Sequence, residues 1–268
     1  YTGSKDTIIS DITKVLPKKI TTFVDIMGGA FNVGANMYAT ERVIYNEFLP
    51  HVYKIISKLL DVDNEKIIND VEETILRFNL SKGDKESYYN LRKEYNKTKK
   101  DIDLFVLQMY CFQNQMRFNS SMGFNTPVGN CAYNETTKER ILNFKPKTKN
   151  IELYNKSYEE FDVSKFDKDT LFYFDPPYFI TNATYNDGKR GFIGWDADEE
   201  TKLLEFMDTI NKNGYKFILS NVIYHGDKVN HLLEEWVKTN NFYIKEINGV
   251  GSKNRRNEVL IFNYDWSE

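Results

Sequence analysis

The 268-residue sequence predicts a doubly wound α/β sheet that is interrupted by a mostly helical insert. Near its start, an apolar strand over 22–26 leads through a glycine pair into a helix beginning near Val33, which is how such a sheet opens. Strand signals are scarce from 61 to 145, where amphipathic helices fit instead. Strands and helices alternate again after that segment. The predicted domains are therefore a sheet domain, residues 1–60 and 146–268, and an insert, residues 61–145.

The individual elements follow from hydrophobic periodicity and from turn residues. Before the insert we predict a helix over 7–16, strands over 22–26 and 42–46, and a helix over 51–60. Within it we predict helices over 64–79, 85–99 and 101–117, closed by a polar, turn-rich stretch over 119–127. After it we predict strands over 171–174, 216–219, 242–244 and 258–262, and helices over 201–212 and 231–239. The last two strands are expected to pair antiparallel.

Composition excludes several classes of protein. Hydrophobic residues make up 41% and aromatic residues 15%, which is enough for a packed core. No apolar run approaches the roughly 18 residues of a membrane span, and the segment from Tyr1 shows no signal-peptide pattern. Only two cysteines occur, so we expect a reducing, cytoplasmic setting. The three histidines are scattered, and we predict no metal site.

The distribution of charge is more informative than the net charge of −3. From Lys82 to Lys100 the chain carries seven basic and three acidic residues, whereas 61–73 is acidic. A second basic group, Lys253, Arg255 and Arg256, lies between the last two predicted strands. A basic middle segment in a chain that is acidic elsewhere is expected of an inserted lobe that contacts DNA phosphates. Solvated helix and loop surfaces would show the same pattern.

The most specific motif is Asp175-Pro176-Pro177-Tyr178, which directly follows an apolar strand. Open α/β sheets bind ligands at the carboxyl ends of their strands. Because prolines lack a main-chain donor, the carbonyls here stay free to accept, so Asp175 and the Pro176 carbonyl can accept both N–H groups of an amine. Tyr178 offers a flat ring on which a base can stack. A rigid turn without catalytic function is the alternative.

A glycine turn forms the second motif. Gly28 and Gly29 follow the strand that ends near Asp25, and glycine lets a ligand approach the main chain closely. Glu47 follows the next strand, where a carboxylate can bind ribose hydroxyls. The sequence has no GxGxxG and no GxxxxGK[ST], which disfavours dinucleotide and nucleoside-triphosphate binding. Many α/β proteins carry such a turn, so a purely structural role stays open.

In this order the motifs resemble those of Dam-type adenine-specific DNA methyltransferases of the D12 class, particularly the phage-encoded ones. The order of cofactor motif, insert and catalytic motif is similar to the α arrangement of that family. The resemblance implies a Rossmann-like methyltransferase sheet with an inserted target-recognition domain. It runs from end to end and rests on 1–5, 23–29, 46–47, 117–119, 124–127, 175–178, 216–222 and 257–263.

The resemblance implies S-adenosyl-L-methionine as the cofactor. Lys5 would lie near its methionine carboxylate, and Glu47, where the family usually has Asp, would bind its ribose. Catalysis would fall to Asp175, Pro176, Pro177 and Tyr178. The implied cofactor-binding residues are Tyr1, Lys5, Asp25, Gly28, Gly29, Glu47, Tyr158 and Asp175.

Double-stranded DNA is the implied partner. Arg117 matches a residue that reads the guanine just 5′ of the target adenine, and arginine is well shaped for a bidentate pair with guanine O6 and N7. Phe112 matches an aromatic wedge in the base stack. The implied DNA-binding residues are Phe112, Gln115, Arg117, Asn119 and Pro127. Phosphate contacts are expected of Lys253, Arg255 and Arg256, for which a solvated hairpin is the alternative.

We therefore expect methylation of the N6 amine of an adenine flipped out of duplex DNA, in GATC or another site containing G-A. Enzymes with a similar tetrapeptide methylate RNA adenines or a protein glutamine amide, and a relative that binds DNA without turnover is a third reading. A monomer is expected in solution, and a dimer on DNA is left open. The sequence does not show whether a restriction enzyme accompanies the protein.

Overall fold

The structure is a computed structural model that describes residues 5–181, 195–247 and 256–266, with only the main chain of 256 and 257. By their contacts, residues 49–145 form one compact unit, and 5–48, 146–181, 195–247 and 256–266 form another. Because α3 packs on α6, the first unit begins at Leu49, ahead of the boundary at 61 expected from the sequence. The helices are α1 Ile9–Thr13, α2 Asn32–Asn36, α3 Pro50–Asp61, α4 Asn64–Phe78, α5 Lys85–Thr98, α6 Asp101–Tyr110, α7 Glu135–Leu142, α8 Ala197–Lys212 and α9 His231–Asn240.

One mixed sheet organises the larger unit. Its strands are β1 Thr22–Asp25, β2 Arg42–Asn46, β3 Ile151–Tyr154, β4 Leu171–Phe174, β5 Lys216–His225, β6 Lys228–Val229, β7 Tyr243–Glu246 and β8 Arg256–Phe262. Their order is β3-β2-β1-β4-β5-β8-β7, and β6 pairs with β5. The strands from β1 to β5 are parallel to their neighbours, whereas β8 is antiparallel to both β5 and β7. The predicted doubly wound α/β fold and its closing antiparallel pair are confirmed.

Strand β4 lies at the centre of the core. All four of its residues are buried, and the rings of Phe172 and Phe174 belong to the cluster that α8 covers with Leu203 and Met207. An entirely apolar strand of this kind is expected when both faces of a parallel sheet are covered. Strand β3 was not predicted, and its residues are half-buried or exposed at the edge of the sheet.

The smaller unit is helical. The carboxylates of Asp63 and Asp84 accept main-chain N–H groups at the starts of α4 and α5, the usual role of aspartate at a helix N-cap. Left-handed residues end both helices, Asn79 after α4 and Lys99 after α5. Apolar side chains of α4, α5 and α6 form its core. The short helix α7 was not predicted from the sequence.

The predicted helix over 101–117 is wrong beyond Tyr110. Cys111 is extended and pairs antiparallel with Val128, and Phe118 pairs with Phe124 in the same way. Residues 111–128 therefore double back on themselves, and we call them the 111–128 hairpin. Where the chain is described, no helix has the length and apolar character needed to cross a membrane.

Candidate active site

Two aspartates follow neighbouring strands at the carboxyl edge of the sheet. Asp25 ends β1, and Asp175 comes directly after β4. The strands lie side by side, with Asp25 opposite Tyr173. From β1 the chain continues to β2 and β3 on one side and returns to β4 on the other, so the two carboxylates lie at the topological switch point, where open α/β sheets bind ligands.

The Asp175 carboxylate is paired on one oxygen. Its Oδ1 lies 2.9 Å from Nζ of Lys5 and 3.1 Å from the Tyr178 hydroxyl. Its Oδ2 and the carbonyl of buried Pro176 accept no hydrogen bond from the residues that the structure describes. Burial raises the pKa of Asp175, and Lys5 opposes that rise. Oδ2 of Asp175 and the Pro176 carbonyl are therefore available as acceptors, and Asp175 itself is anchored through Oδ1.

Lys5 is shared between two carboxylates. Its Nζ lies 2.8 Å from Oε1 of Glu258 as well as 2.9 Å from Asp175, and it also contacts the Tyr178 hydroxyl. Burial lowers the pKa of Lys5, but the charges of Asp175 and Glu258 outweigh it and hold that pKa above its ordinary value. Lys5 therefore stays charged and fixes both carboxylates.

Glu258 is a site residue to which the sequence analysis gave no role. Its Oε1 accepts hydrogen bonds from the Tyr178 hydroxyl at 2.8 Å and from Oγ of Ser220 at 3.2 Å, in addition to the Lys5 pair. It lies on β8, beside Val222 of β5, and is buried. In the sequence Glu258 is a charged residue directly before the apolar run Val259–Phe262. A glutamate next to a buried strand is rarely buried itself unless it is paired, and that is the signal that could have identified it.

Tyr178 lies inside the protein. It is 5% exposed, and its ring packs with Ile180 and Val222. Burial raises the pKa of Tyr178, so its hydroxyl remains a donor. The expected stacking of a base on this ring stays a prediction, and it requires the ring to become accessible. Pro177 next to it is half-buried.

The glycine turn is built as a close-packed cradle. The N–H of Gly28 donates to the Asn46 carbonyl at 2.8 Å, and a Cβ on Gly28 would lie 2.4 Å from the Tyr45 ring. Gly29 has φ of 50°, in the left-handed region that favours glycine. Its N–H donates to Oε2 of Glu47 at 2.9 Å. A larger residue at Gly28 or Gly29 would therefore displace this turn from the ends of β1 and β2.

Asp25 is buried beneath that turn. Its Oδ2 accepts the N–H of Gly34 in α2 at 2.9 Å. Burial raises the pKa of Asp25 to about 7, against the hydrogen bond from Gly34 and with help from the charges of Asp175 and Glu47. A positive charge bound nearby would favour the ionised form of these carboxylates.

Tyr158 is tied to the same edge of the sheet through Asn46. The Asn46 amide donates to the carbonyls of Ile26 and Lys156, and its oxygen accepts the Lys156 N–H. The Tyr158 ring is buried against Phe206, and its hydroxyl has no hydrogen-bond partner among the described residues. Its predicted place beside the adenine of the cofactor remains a prediction.

The predicted DNA-binding residues of the insert come together in the 111–128 hairpin. Phe112 is 46% exposed, as a side chain that enters a base stack must be. Arg117 is half-buried, and its Nε has no partner in the part of the chain that is described. Asn119 accepts the N–H groups of Ser121 and Gly123 at 3.1 and 2.7 Å and so shapes the tip of the hairpin. Gln115 and Pro127 are half-buried nearby in the chain.

Four other predicted site residues lie wholly or in part outside what the structure describes. Tyr1, Lys253 and Arg255 lie outside the described residues, as does the side chain of Arg256. Across the described ranges, no group of three or more His, Cys, Asp or Glu side chains is arranged to hold a metal ion.

A sheet with an acceptor pair at its switch point and a glycine cradle next to it defines an α/β enzyme that binds its ligands at one edge. Over residues 1–250 the chain matches the family of D12 class N6 adenine-specific DNA methyltransferases, and it belongs to that family. The family predicted from the motifs is confirmed.

Individual relatives agree with this family. The chain is 45% identical over 269 residues to the modification methylase LlaI of Lactococcus lactis subsp. lactis, and 36% over 276 residues to the modification methylase StsI of Streptococcus sanguinis. These alignments cover 100% and 99% of the chain but only 43% and 42% of those relatives, so the chain spans less than half of their length. The type II methyltransferase M.MjaIII of Methanocaldococcus jannaschii is 28% identical over 98% of the chain and 97% of its own length.

Proposed function

We propose that the protein transfers the methyl group of S-adenosyl-L-methionine to the N6 amine of an adenine flipped out of duplex DNA. The observation that carries the proposal is the acceptor pair, Oδ2 of Asp175 and the Pro176 carbonyl, at the carboxyl end of β4 next to the glycine turn. Family membership supports the same reaction.

The residues present fit such a cofactor. Among these residues Glu47, Asp175 and Glu258 outnumber the cation Lys5, and a positive charge would also favour the ionised form of Asp25, so the edge of the sheet favours a positively charged ligand. Bound there, S-adenosyl-L-methionine would supply the methyl group on a positively charged sulfur. Asp25, Gly28, Gly29 and Glu47 would hold it, with Tyr158 beside them. Lys5 would serve its carboxylate only by giving up part of its present contacts with Asp175.

The catalytic work of the chain is to bind and orient one amine. Asp175 accepts one N–H and the Pro176 carbonyl accepts the other, which directs the nitrogen lone pair out of the plane of the base. Lys5 and Tyr178 hold Asp175 through Oδ1, so Oδ2 is presented in a fixed direction. Preorganised acceptors of this kind lower the barrier because they need no rearrangement during the reaction.

Recognition of the DNA is assigned to the insert. Arg117 would pair with the guanine that precedes the target adenine, Phe112 would enter the base stack, and Gln115 and Pro127 would contact neighbouring positions. Asn119 would keep the hairpin in shape. Lys253, Arg255 and Arg256 would bind phosphates without regard to sequence. The proposed site is GATC or another sequence containing G-A.

The first test measures transfer of labelled methyl from S-adenosyl-L-methionine to two duplexes of equal composition, one with GATC and one with it scrambled. Label on the adenine of the GATC duplex alone supports the reaction and the site together. Equal label on both keeps the reaction and rejects GATC. Label on neither overturns the proposal, and RNA adenine and protein glutamine substrates would then be compared.

The variant Asp175→Asn tests the acceptor pair. We expect it to lower kcat/KM by about 10²–10³-fold, the usual cost of losing one preorganised electrostatic group. Folding, measured by thermal unfolding, and cofactor binding, measured by calorimetry, should persist because Lys5 keeps Glu258. Asp162→Asn, at an exposed position in the same unit, is the matched control. Full activity of Asp175→Asn would refute the assigned role.

A further inference from the structure

One face of α5 holds the returning strand of the 111–128 hairpin by its main chain. Residues spaced by three or four positions share a helix face, so side chains in such a series can reach one extended segment. The donors are Tyr88 and Arg92 to the Thr126 carbonyl at 2.9 and 3.4 Å, Asn96 to the Phe124 carbonyl at 3.0 Å, and Lys99, just beyond the helix, to the Met122 carbonyl at 2.7 Å. We call these four side chains the α5 ladder.

Asn96 makes the tightest connection in the ladder. Its amide donates to the Phe124 carbonyl, and its oxygen accepts the Phe124 N–H at 2.7 Å, so both main-chain groups of one residue are held by one side chain. Phe124 is also fixed by its ring, which is buried edge-on against Tyr95 and Phe118. The hairpin is therefore locked to α5 at Phe124 in position and in rotation.

Thr126 carries this constraint to Arg117. Its buried hydroxyl accepts the Arg117 N–H at 3.0 Å and donates to the Gln115 carbonyl at 3.0 Å. The N–H of Asn125 donates to the Arg117 carbonyl at 3.0 Å. Both main-chain groups of Arg117 are thus fixed by the strand that the α5 ladder grips.

The main chain of the hairpin is strained at three residues, one of which the α5 ladder contacts. Gln113, Asn114 and Met122 have φ of 53°, 52° and 58°, in the left-handed region that residues other than glycine rarely adopt. Conformations of this kind persist only where surrounding contacts enforce them. The Lys99 contact falls on Met122 itself.

We propose that Asn96 is a positioning residue for sequence discrimination. It acts through Phe124 and Thr126 and sets where the Arg117 guanidinium lies relative to the base that precedes the target adenine. The inference rests on the proposed function of Arg117. A merely structural Asn96 would change stability and affect every duplex equally, whereas a positioning Asn96 changes the ratio between duplexes.

The test compares Asn96→Ala with Asn90→Ala, an exposed asparagine on the same helix, in the intact protein. Two duplexes are used that differ only in the base before the target adenine, guanine or adenine. Both methyl transfer and equilibrium binding are measured for each duplex. Since an Arg–guanine pair discriminates by about fivefold to 150-fold, we expect the wild-type ratio to fall by at least fivefold in Asn96→Ala and to stay within twofold in Asn90→Ala.

Thr126→Val tests the same chain of contacts from the other end and serves if Asn96→Ala does not fold. It should lower the ratio as Asn96→Ala does, with binding of S-adenosyl-L-methionine unchanged. Unchanged discrimination in the folded variants would overturn the inference. Absence of methyl transfer by the wild type, with discrimination retained in binding, would overturn the proposed reaction alone. A wild type that does not discriminate in either measurement would overturn the inference.

Discussion

At the scale of single residues, Glu258 connects the Asp175 carboxylate to the other polar groups of the site. Lys5, Tyr178 and Ser220 all contact its Oε1, and Lys5 divides its charge between Glu258 and Asp175. If the Glu258 charge is lost, Lys5 is drawn entirely to Asp175 and competes with an amine for that carboxylate. Removing one member of a buried ion pair costs a large free energy, because the other member stays buried without its partner.

We therefore expect Glu258→Gln to lower kcat/KM for methyl transfer by about tenfold to a hundredfold, which corresponds to about 1.4–2.7 kcal/mol of transition-state stabilisation. Steady-state kinetics on the preferred duplex measure this, and thermal unfolding reports any loss of fold. Glu246→Gln, at an exposed position of β7, is the control. Activity within twofold of the wild type would show that Glu258 does not act on Asp175.

At the scale of secondary-structure elements, the turn between β1 and α2 makes the stability of the fold depend on pH. Asp25 ends the strand, and its carboxylate accepts the N–H of Gly34, so one side chain joins the two elements. That side chain is 1% exposed, and burial raises its pKa to about 7. The folded protein therefore favours protonated Asp25 at pH values where the unfolded chain is already ionised, and stability depends on pH through this turn.

The pKa of Asp25 is raised on folding, so its contribution is fully present below the unfolded pKa near 3.8 and is lost as pH rises to about 7. We expect the free energy of unfolding of the wild type to fall over that window relative to Asp25→Asn, by on the order of a few kcal/mol. Urea unfolding at a series of pH values measures the difference. A difference that does not change with pH would contradict the burial of an uncompensated carboxyl.

Elements differed in how far the sequence could define them. Strands 42–46 and 171–174 were predicted to the residue, because short apolar runs rich in β-branched or aromatic residues and bounded by polar residues are typical of buried strands. The helix predicted over 101–117 failed after Tyr110, because apolar periodicity continues into the hairpin while the main chain turns to pair with Val128. That pairing is made with residues distant in sequence, which local periodicity does not report.

At the scale of the whole molecule, the sequence likewise does not report which distant residues meet in the site. Asp175, Pro176 and Tyr178 form one contiguous motif, so the sequence alone pointed to them. Lys5 and Glu258 stand near opposite ends of the chain, and only the pairing of β8 with β5 brings Glu258 to the edge of the sheet. Asn96 carries no motif at all, since its role depends on which loop packs on α5.

The uneven charge of the chain leads to a prediction for DNA binding. The stretch from Lys82 to Lys100 holds seven basic and three acidic residues in a protein of net charge −3, and Lys93 and Lys97 are exposed on α5. If such side chains contact phosphates, affinity for any duplex falls as salt rises, because binding releases condensed counterions. Each lysine lost from a contact should reduce the slope of log K against log salt by about 1.

The double variant Lys93→Ala, Lys97→Ala should therefore bind GATC and scrambled duplexes more weakly by the same factor, with a slope smaller by about 2. Fluorescence anisotropy between 50 and 200 mM salt measures both, and Lys202→Ala, at an exposed position of α8, is the control. Unequal loss on the two duplexes would mean that these lysines read bases, and an unchanged slope would place the phosphate contacts elsewhere.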